Sequence, residues 1–83
     1  MLMNRDILTI YDDKQKKDYK LLFVIHQEYN YIIYTDLDNN DLTKDLYAIK
    51  VKSLNNNSNT IPITDEEWLM IENKYNKLIN KNA

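Results

Sequence analysis

The residues that could do chemistry are few, and His26 is the only histidine in the chain. A histidine can serve as a general base or as a metal ligand near neutral pH. The sequence has no cysteine and no second histidine to complete a transition-metal site, and only two serines, Ser53 and Ser58, that could act as nucleophiles. We therefore expect His26 to be an ordinary turn residue with neither a catalytic nor a metal-binding role.

A second candidate is the acidic triplet formed by Asp65, Glu66 and Glu67. Paired carboxylates that do acid–base work must converge across a cleft, whereas consecutive ones splay around a helix. Thr64 precedes the triplet and Glu67 stands three residues later, which is the spacing of a capping box. The pattern predicts that Thr64 and Glu67 cap the start of a helix and that the triplet favours the positive end of its dipole.

A third candidate is the acidic turn, in which Asp36, Asp38 and Asn40 occupy the first, third and fifth places of a calcium-binding loop. Asp41 then stands where such a loop needs glycine, and Tyr47 stands where it needs a bidentate glutamate. We therefore expect no dedicated metal site. Asx residues tolerate a left-handed backbone best among the non-glycine types, so the segment is predicted to be a turn.

The absence of glycine excludes several enzyme classes. The phosphate loop, the dinucleotide fingerprint and the nucleophile elbow all need glycine where the backbone turns sharply or approaches a ligand. With no nucleophile–base pair, metal cluster or phosphate loop, the sequence predicts a protein that is not an enzyme and that holds no cofactor.

The chain has seven tyrosines, and four lysines stand within residues 14–20. Both features are found in proteins that bind nucleic acids. Aromatic side chains on a sheet can stack unpaired bases. The formal net charge of −2 opposes this reading, because attraction to phosphates supplies most non-specific affinity. Nucleic acid is therefore not the expected partner, and binding of single-stranded RNA through the Tyr-bearing sheet and the Lys14–Lys20 loop is kept as the alternative hypothesis.

The sequence predicts that the candidate residues are positioned by strands followed by one helix. Four β-branched and aromatic segments are predicted to be strands: Ile7–Tyr11, Tyr19–Ile25, Tyr31–Tyr34 and Leu46–Val51. A polar loop at 55–59 precedes a helix over roughly 65–80, whose apolar stripe contains Trp68, Ile71, Tyr75 and Leu78, widened by Leu69 and Ile79. Residues 1–83 are thus predicted to form a single α+β domain. Its antiparallel meander of about four strands spans roughly residues 6–52, and the C-terminal helix packs on the sheet through Trp68.

Both faces of the predicted sheet are apolar. In the second strand Leu21, Phe23 and Ile25 are predicted to point one way, while Leu22 and Val24 point the other. One helix covers one face, so the other must be covered by loops, by curling of the sheet or by another chain. We predict a homodimer or partner surface on that face, with Leu22, Val24 and Tyr34 as candidate interaction residues.

The longest apolar run is five residues, Leu21–Ile25, far short of the roughly 20 needed to span a bilayer. The first residues also lack the apolar segment of a signal peptide. We therefore expect a cytoplasmic protein with no membrane association. The abundance of Asn, Ile, Lys and Tyr is typical of an AT-rich genome.

The segment Asp65–Trp68, followed by Leu69–Asn76, resembles the C-terminal signature of the YrzB-like family, the domain of unknown function 1292 of low-GC Gram-positive bacteria. Further segments resemble that family's strands in the same order along the chain: Asp6–Ile10, Tyr31–Tyr34, Leu46–Val51 and Ile61–Ile63. The resemblance implies the fold and a bacterial, cytoplasmic setting but supplies no activity. The leading hypothesis is therefore a non-enzymatic protein-interaction or regulatory module that acts through an unknown protein partner or its own copy.

Overall fold

A computed structural model describes residues 2–54 and 60–81. Five strands precede one helix: β1 Leu2–Asn4, β2 Ile7–Asp12, β3 Gln15–His26, β4 Asn30–Asp36, β5 Tyr47–Val51 and α1 Asp65–Lys81. The strands form one antiparallel sheet in the order β1-β2-β3-β4-β5, so the predicted α+β meander with a C-terminal helix is confirmed. The sheet has one strand more than predicted, because β1 is only three residues long and too short to show a periodic pattern. The polar loop predicted at 55–59 lies outside the described residues.

The long strand β3 carries a bulge that divides its two faces. Its register with β4 shifts between Leu21 and Phe23, so Leu22 is an extra residue on the β3 side. Leu22 therefore packs on the same side as Phe23 and Ile25, in the cluster beneath the helix. Val24 packs in the cluster on the opposite side. The prediction that Leu22 and Val24 share a face is wrong, because a bulge changes the alternation that a regular strand would keep.

The face away from the helix is buried in part by curling of the sheet. Leu8 of β2, Ile32 of β4 and Val51 of β5 share one core cluster and are fully buried. Along β3, however, Leu8 is opposite Tyr19 and Ile32 is opposite Val24, five residues or about 16 Å apart in a straight strand. The cluster can form only if β3 bends and brings the β1–β2 hairpin over β4 and β5. Curling of the sheet therefore covers part of this face, and Leu54, beyond β5, also packs against the cluster.

Left-handed residues close the turns of this glycine-free chain. The β1–β2 and β2–β3 hairpins each have two loop residues, and the first of them is left-handed: Arg5 with φ 57° and Asp13 with φ 52°. Short hairpin loops need such a conformation to match the twist of the strands. Asp45, at the end of the β4–β5 connection, has φ 57°. Asp13 and Asp45 agree with the use of Asx residues in place of glycine, whereas Arg5 has no such local compensation.

Helix α1 lies against the sheet through Ile71 and Tyr75, which are 2% and 5% exposed. The Tyr75 ring stacks on Phe23 of β3, with centroids 5.6 Å apart. Two residues of the predicted stripe are exposed instead, Leu69 at 61% and Leu78 at 42%. Leu69 is about 140° around the helix from the buried side, at 100° per residue. Leu78 lies in the last turn and is not part of the core cluster.

Candidate interaction site

The start of α1 is fixed by the predicted capping box. The backbone N–H of Glu67 donates to Oγ1 of Thr64 at 3.2 Å, and the backbone N–H of Thr64 donates to Oε1 of Glu67 at 3.0 Å. Ile63, just before the cap, and Trp68, just after it, both pack against the core cluster under the helix. Two amide groups that a helix start would leave unpaired are thereby satisfied, and the position of the Trp68 indole is set.

The second carboxylate oxygen of Glu67 ties the helix to the sheet. Nζ of Lys50 lies 2.8 Å from Oε2 of Glu67, and the Tyr31 hydroxyl donates a hydrogen bond to the same oxygen. The Lys50 ammonium also sits 4.3 Å from the centre of the Tyr29 ring, a cation–π contact. Only 8% of Lys50 is exposed, so its charge is committed to this network.

The network shifts two pKa values in opposite directions. Hydrogen bonds from Lys50, from the Tyr31 hydroxyl and from the Thr64 amide lower the pKa of Glu67 from 4.5 to about 2. The hydrogen bond to Glu67, together with burial, raises the pKa of Tyr31 from 10.0 to about 12. Glu67 therefore stays ionised and Tyr31 stays protonated over a wide pH range. Every member has a structural partner, so the network serves to hold α1 in place.

The other chemistry-bearing residues are separate from one another. His26 is exposed, and its Nδ1 lies 2.9 Å from Oδ1 of Asn30. Within residues 2–54 and 60–81, no three His, Asp or Glu side chains lie close enough together to hold a metal ion. In the same part of the chain, no helix is long and apolar enough to cross a membrane.

A groove of about 340 Å³ opens beside α1, between the helix and the β4–β5 connection. Its lining is mixed, and the apolar part includes Ile33 of β4, Leu46 before β5, and Trp68 and Ile71 of the helix. Ile79 closes the C-terminal end. We call this depression the α1 groove. Its volume is at the lower end of the range for ligand pockets. An indole and three aliphatic side chains line the groove and leave its interior open.

Hydrogen bonds around a buried threonine hold the outer wall of the α1 groove. Thr35 is fully buried, and its Oγ1 donates to the carbonyl of Asp45 at 2.7 Å. The Asn39 amide donates to the same hydroxyl at 2.7 Å and to the carbonyl of Lys44 at 3.0 Å. From the helix, the Tyr75 hydroxyl donates to the carbonyl of Leu42 at 2.6 Å. The β4–β5 connection is thus fastened both to the sheet and to the helix, and the groove is preformed.

The rim of the α1 groove is polar and acidic. Asp45 and Thr43 line it from the β4–β5 connection, and Glu72 and Asn76 line it from the helix. Both carboxylate residues are exposed, and neither forms an ion pair within the described part of the chain. An apolar floor with an acidic rim can bind a segment that carries both apolar and cationic groups.

Three tyrosines form a separate cluster on the opposite face. The rings of Tyr19, Tyr34 and Tyr47 lie 4.9 to 6.5 Å apart in edge-to-face and tilted contacts. The Lys17 ammonium is 5.0 Å from the centre of the Tyr19 ring. The Tyr47 hydroxyl donates to Oδ2 of Asp36 at 3.2 Å. The rings therefore contact one another and an acidic neighbour.

The predicted site residues thus lie in three places. Thr64, Glu67 and Trp68 meet at the start of α1, while Leu22 packs beneath the helix and Val24 and Tyr34 lie on the far face. Sequence reasoning missed the residues of the groove rim, which come from two distant segments. The sequence held one signal of the rim: Glu72 and Asn76 lie on one side of the helix, and the helix lysines lie on another.

Comparison with protein families places the chain in a group without a known activity. The model of the family described as Protein of unknown function (DUF1292) matches residues 12–80. The chain belongs to the DUF1292 family. The match covers β3 to α1 and therefore includes every residue of the α1 groove, and it confirms the resemblance drawn from the C-terminal signature. No curated protein and no solved structure matches this DUF1292 chain.

Proposed function

We propose that this DUF1292 chain is a non-enzymatic protein-interaction module that binds a segment of a partner protein in the α1 groove. The observation that carries the proposal is the preformed, open apolar surface around Trp68. Apolar clefts that contain an aromatic residue are where binding energy concentrates in protein interfaces. The strongest polar cluster, around Glu67, is fully engaged in holding the helix and offers no spare group for catalysis.

We also propose that the protein acts in the cytoplasm of a bacterium with an AT-rich genome. The Asn-, Ile- and Lys-rich composition supports the AT-rich source, and a chain without cysteine suits a reducing compartment. The resemblance to a family of low-GC Gram-positive bacteria supports the same setting. Fractionation of the source cells, with detection of the untagged protein by antibody, tests the location.

The test of the interaction is a groove-blocking substitution with a matched control. Asn76→Arg places a long side chain over the α1 groove, whereas Asn73→Arg makes the same change at another exposed helix position that does not line it. Arginine is a good helix former, so both variants should fold. Equal midpoints of urea unfolding would verify this.

Each protein is then cross-linked in the source cells, and its captured partners are compared by quantitative mass spectrometry. The proposal predicts proteins that are retained by wild type and Asn73→Arg but lost with Asn76→Arg. Identical capture by all three proteins, or capture by none, would contradict it. Light scattering at micromolar concentration in the same series identifies self-association: a dimer that Asn76→Arg dissociates would make a second copy the partner.

The second candidate function is binding of single-stranded RNA, and the observation that favours it is the tyrosine cluster with Lys17 beside it. Tyr47 is 38% exposed there. Mixed-sequence RNA at low salt is the assay, because counterion release makes such binding strongest there. Tyr47→Ala should weaken it and Leu78→Ala, at an exposed position of the helix, should not. Absence of binding by wild type would rule this function out.

A further inference from the structure

We infer that the segment bound in the α1 groove is cationic, with an apolar anchor flanked by lysine or arginine. This inference rests on the proposed function and adds the chemistry of the partner. Its first support is the rim, which Asp45 lines from the β4–β5 connection and Glu72 lines from the helix. An acidic rim favours basic partners and disfavours acidic ones through like-charge repulsion.

The helix keeps its own cations away from this rim. At 100° per residue, Lys74 and Lys77 lie about 160° and 140° around α1 from Glu72. Lys50, the buried cation of the described residues, is held by Glu67 and by the Tyr29 ring. No cationic side chain lines the α1 groove among the described residues.

The β4–β5 connection adds to the negative field. Residues 36–45 contain four aspartates and one lysine, but Asp36 accepts from Tyr47 on the opposite face and the Lys20 ammonium donates to the Asn39 carbonyl, so Asp45 is the aspartate of this connection that lines the groove. The lysine, Lys44, is 4.0 Å from Asp41, is largely exposed and does not line the groove. The screening length is about 8 Å at physiological salt, so the charge of this wall extends across the opening beside it.

The apolar lining of the α1 groove determines which side chain of the partner segment can be bound. The half-buried indole of Trp68 also lines a second depression of about 320 Å³ along the outer edge of β5, next to Ala48 and Ile63. On the helix side, Leu69 is 61% exposed and lies within about 20° of Asn76 around the helix axis, two turns nearer its N-terminus. A partner segment can therefore place one large apolar side chain against Trp68 and cover Leu69. Arginine is the cation that fits best beside it, because guanidinium stacks on indole and pairs with carboxylates.

The probe is a phage library of random 12-residue peptides selected on the purified chain. Wild type should enrich peptides in which Lys or Arg flanks a large apolar residue. A peptide synthesised from that selection should bind about tenfold more weakly to the double variant Asp45→Asn/Glu72→Gln, and the salt dependence of its affinity should flatten. Asparagine is chosen at position 45 because it tolerates the left-handed backbone there.

Two control variants distinguish failure of the cationic inference from failure of the proposed function. Glu28→Lys changes a charge on the β3–β4 turn, away from the groove, and should leave the affinity unchanged. Asn76→Arg should abolish binding. Peptides that depend on the groove but carry no basic enrichment, or that keep full affinity for the double variant, would overturn the cationic inference and leave the proposed function standing. A selection that yields no peptide sensitive to Asn76→Arg would overturn both.

Discussion

Removal of one buried hydroxyl should loosen the wall of the α1 groove. Thr35→Val keeps the β-branched shape but deletes the oxygen that donates to the Asp45 carbonyl and accepts from the Asn39 amide, each at 2.7 Å. Each hydrogen bond contributes about 0.5–1.5 kcal/mol net, so the two together contribute about 1–3 kcal/mol. Asn39 retains its bond to the Lys44 carbonyl, and the new methyl group offsets part of the loss. We expect a decrease of about 1–2 kcal/mol in the free energy of unfolding.

Urea unfolding followed by fluorescence measures this change, because Trp68 is the only tryptophan and lies in the groove itself. With a slope of about 1 kcal/mol per molar urea for a small domain, the midpoint should fall by about 1–2 M. The control is Thr9→Val, which deletes a hydroxyl that donates to Oδ1 of Asp18 at 2.6 Å between β2 and β3. One hydrogen bond is removed there, so the expected decrease is about 0.5–1.5 kcal/mol.

The two threonine variants should differ in binding. Thr35→Val should weaken a groove-binding peptide, since it releases the loop that carries Asp45, whereas Thr9→Val should not. An unfolding midpoint within 0.2 M of wild type, or equal peptide affinity for both variants, would refute the role given to Thr35. The small threshold is roughly the precision of a midpoint determination.

Further changes test the helix and the turns. Thr64→Ala should lower the free energy of unfolding by about 1 kcal/mol in urea titrations, since it removes the cap. The pKa of Glu67 is lower in the folded state, so its contribution to the free energy of unfolding is complete above pH 4.5 and is lost as the pH falls towards 2. The free energy of unfolding of wild type, measured across this pH range, should show the decline, and Glu67→Gln should flatten it. Arg5→Gly should raise the thermal midpoint, because φ 57° suits glycine; an unchanged or lower midpoint would contradict this. Ile71→Ala should cost about 2–5 kcal/mol and Leu69→Ala less than about 0.5, and equal losses would mean that the helix docks through another face.

Local features of the fold could be predicted from the sequence because they depend on neighbouring residues. The capping box needs only Thr64 and Glu67, three residues apart, and it forms as predicted. The alternation of Tyr31 and Ile33 with Ile32 and Tyr34 also holds, because β4 is regular. These patterns fix the faces of an element without reference to the rest of the chain.

Features that depend on distant partners could not be predicted. The bulge at Leu22 arises from the register of β3 with β4, and no residue near it marks the position. The exposure of Leu78 depends on where the sheet ends under the helix. The α1 groove combines Asp45 with Glu72 and Asn76, and their proximity follows from the fastening of the β4–β5 connection by Thr35 and Tyr75.

The most direct test of the central claim is a titration of the ¹⁵N-labelled chain with the selected cationic peptide, followed by two-dimensional NMR. Binding in the α1 groove predicts that the largest shift changes belong to the indole N–H of Trp68 and to the backbone amides of Asp45, Glu72 and Asn76, which line the opening. The resonances of the tyrosine cluster on the opposite face should stay in place. Shift changes centred on Tyr34 and Tyr47, or no changes at saturating peptide, would contradict the claim that this groove is the binding site.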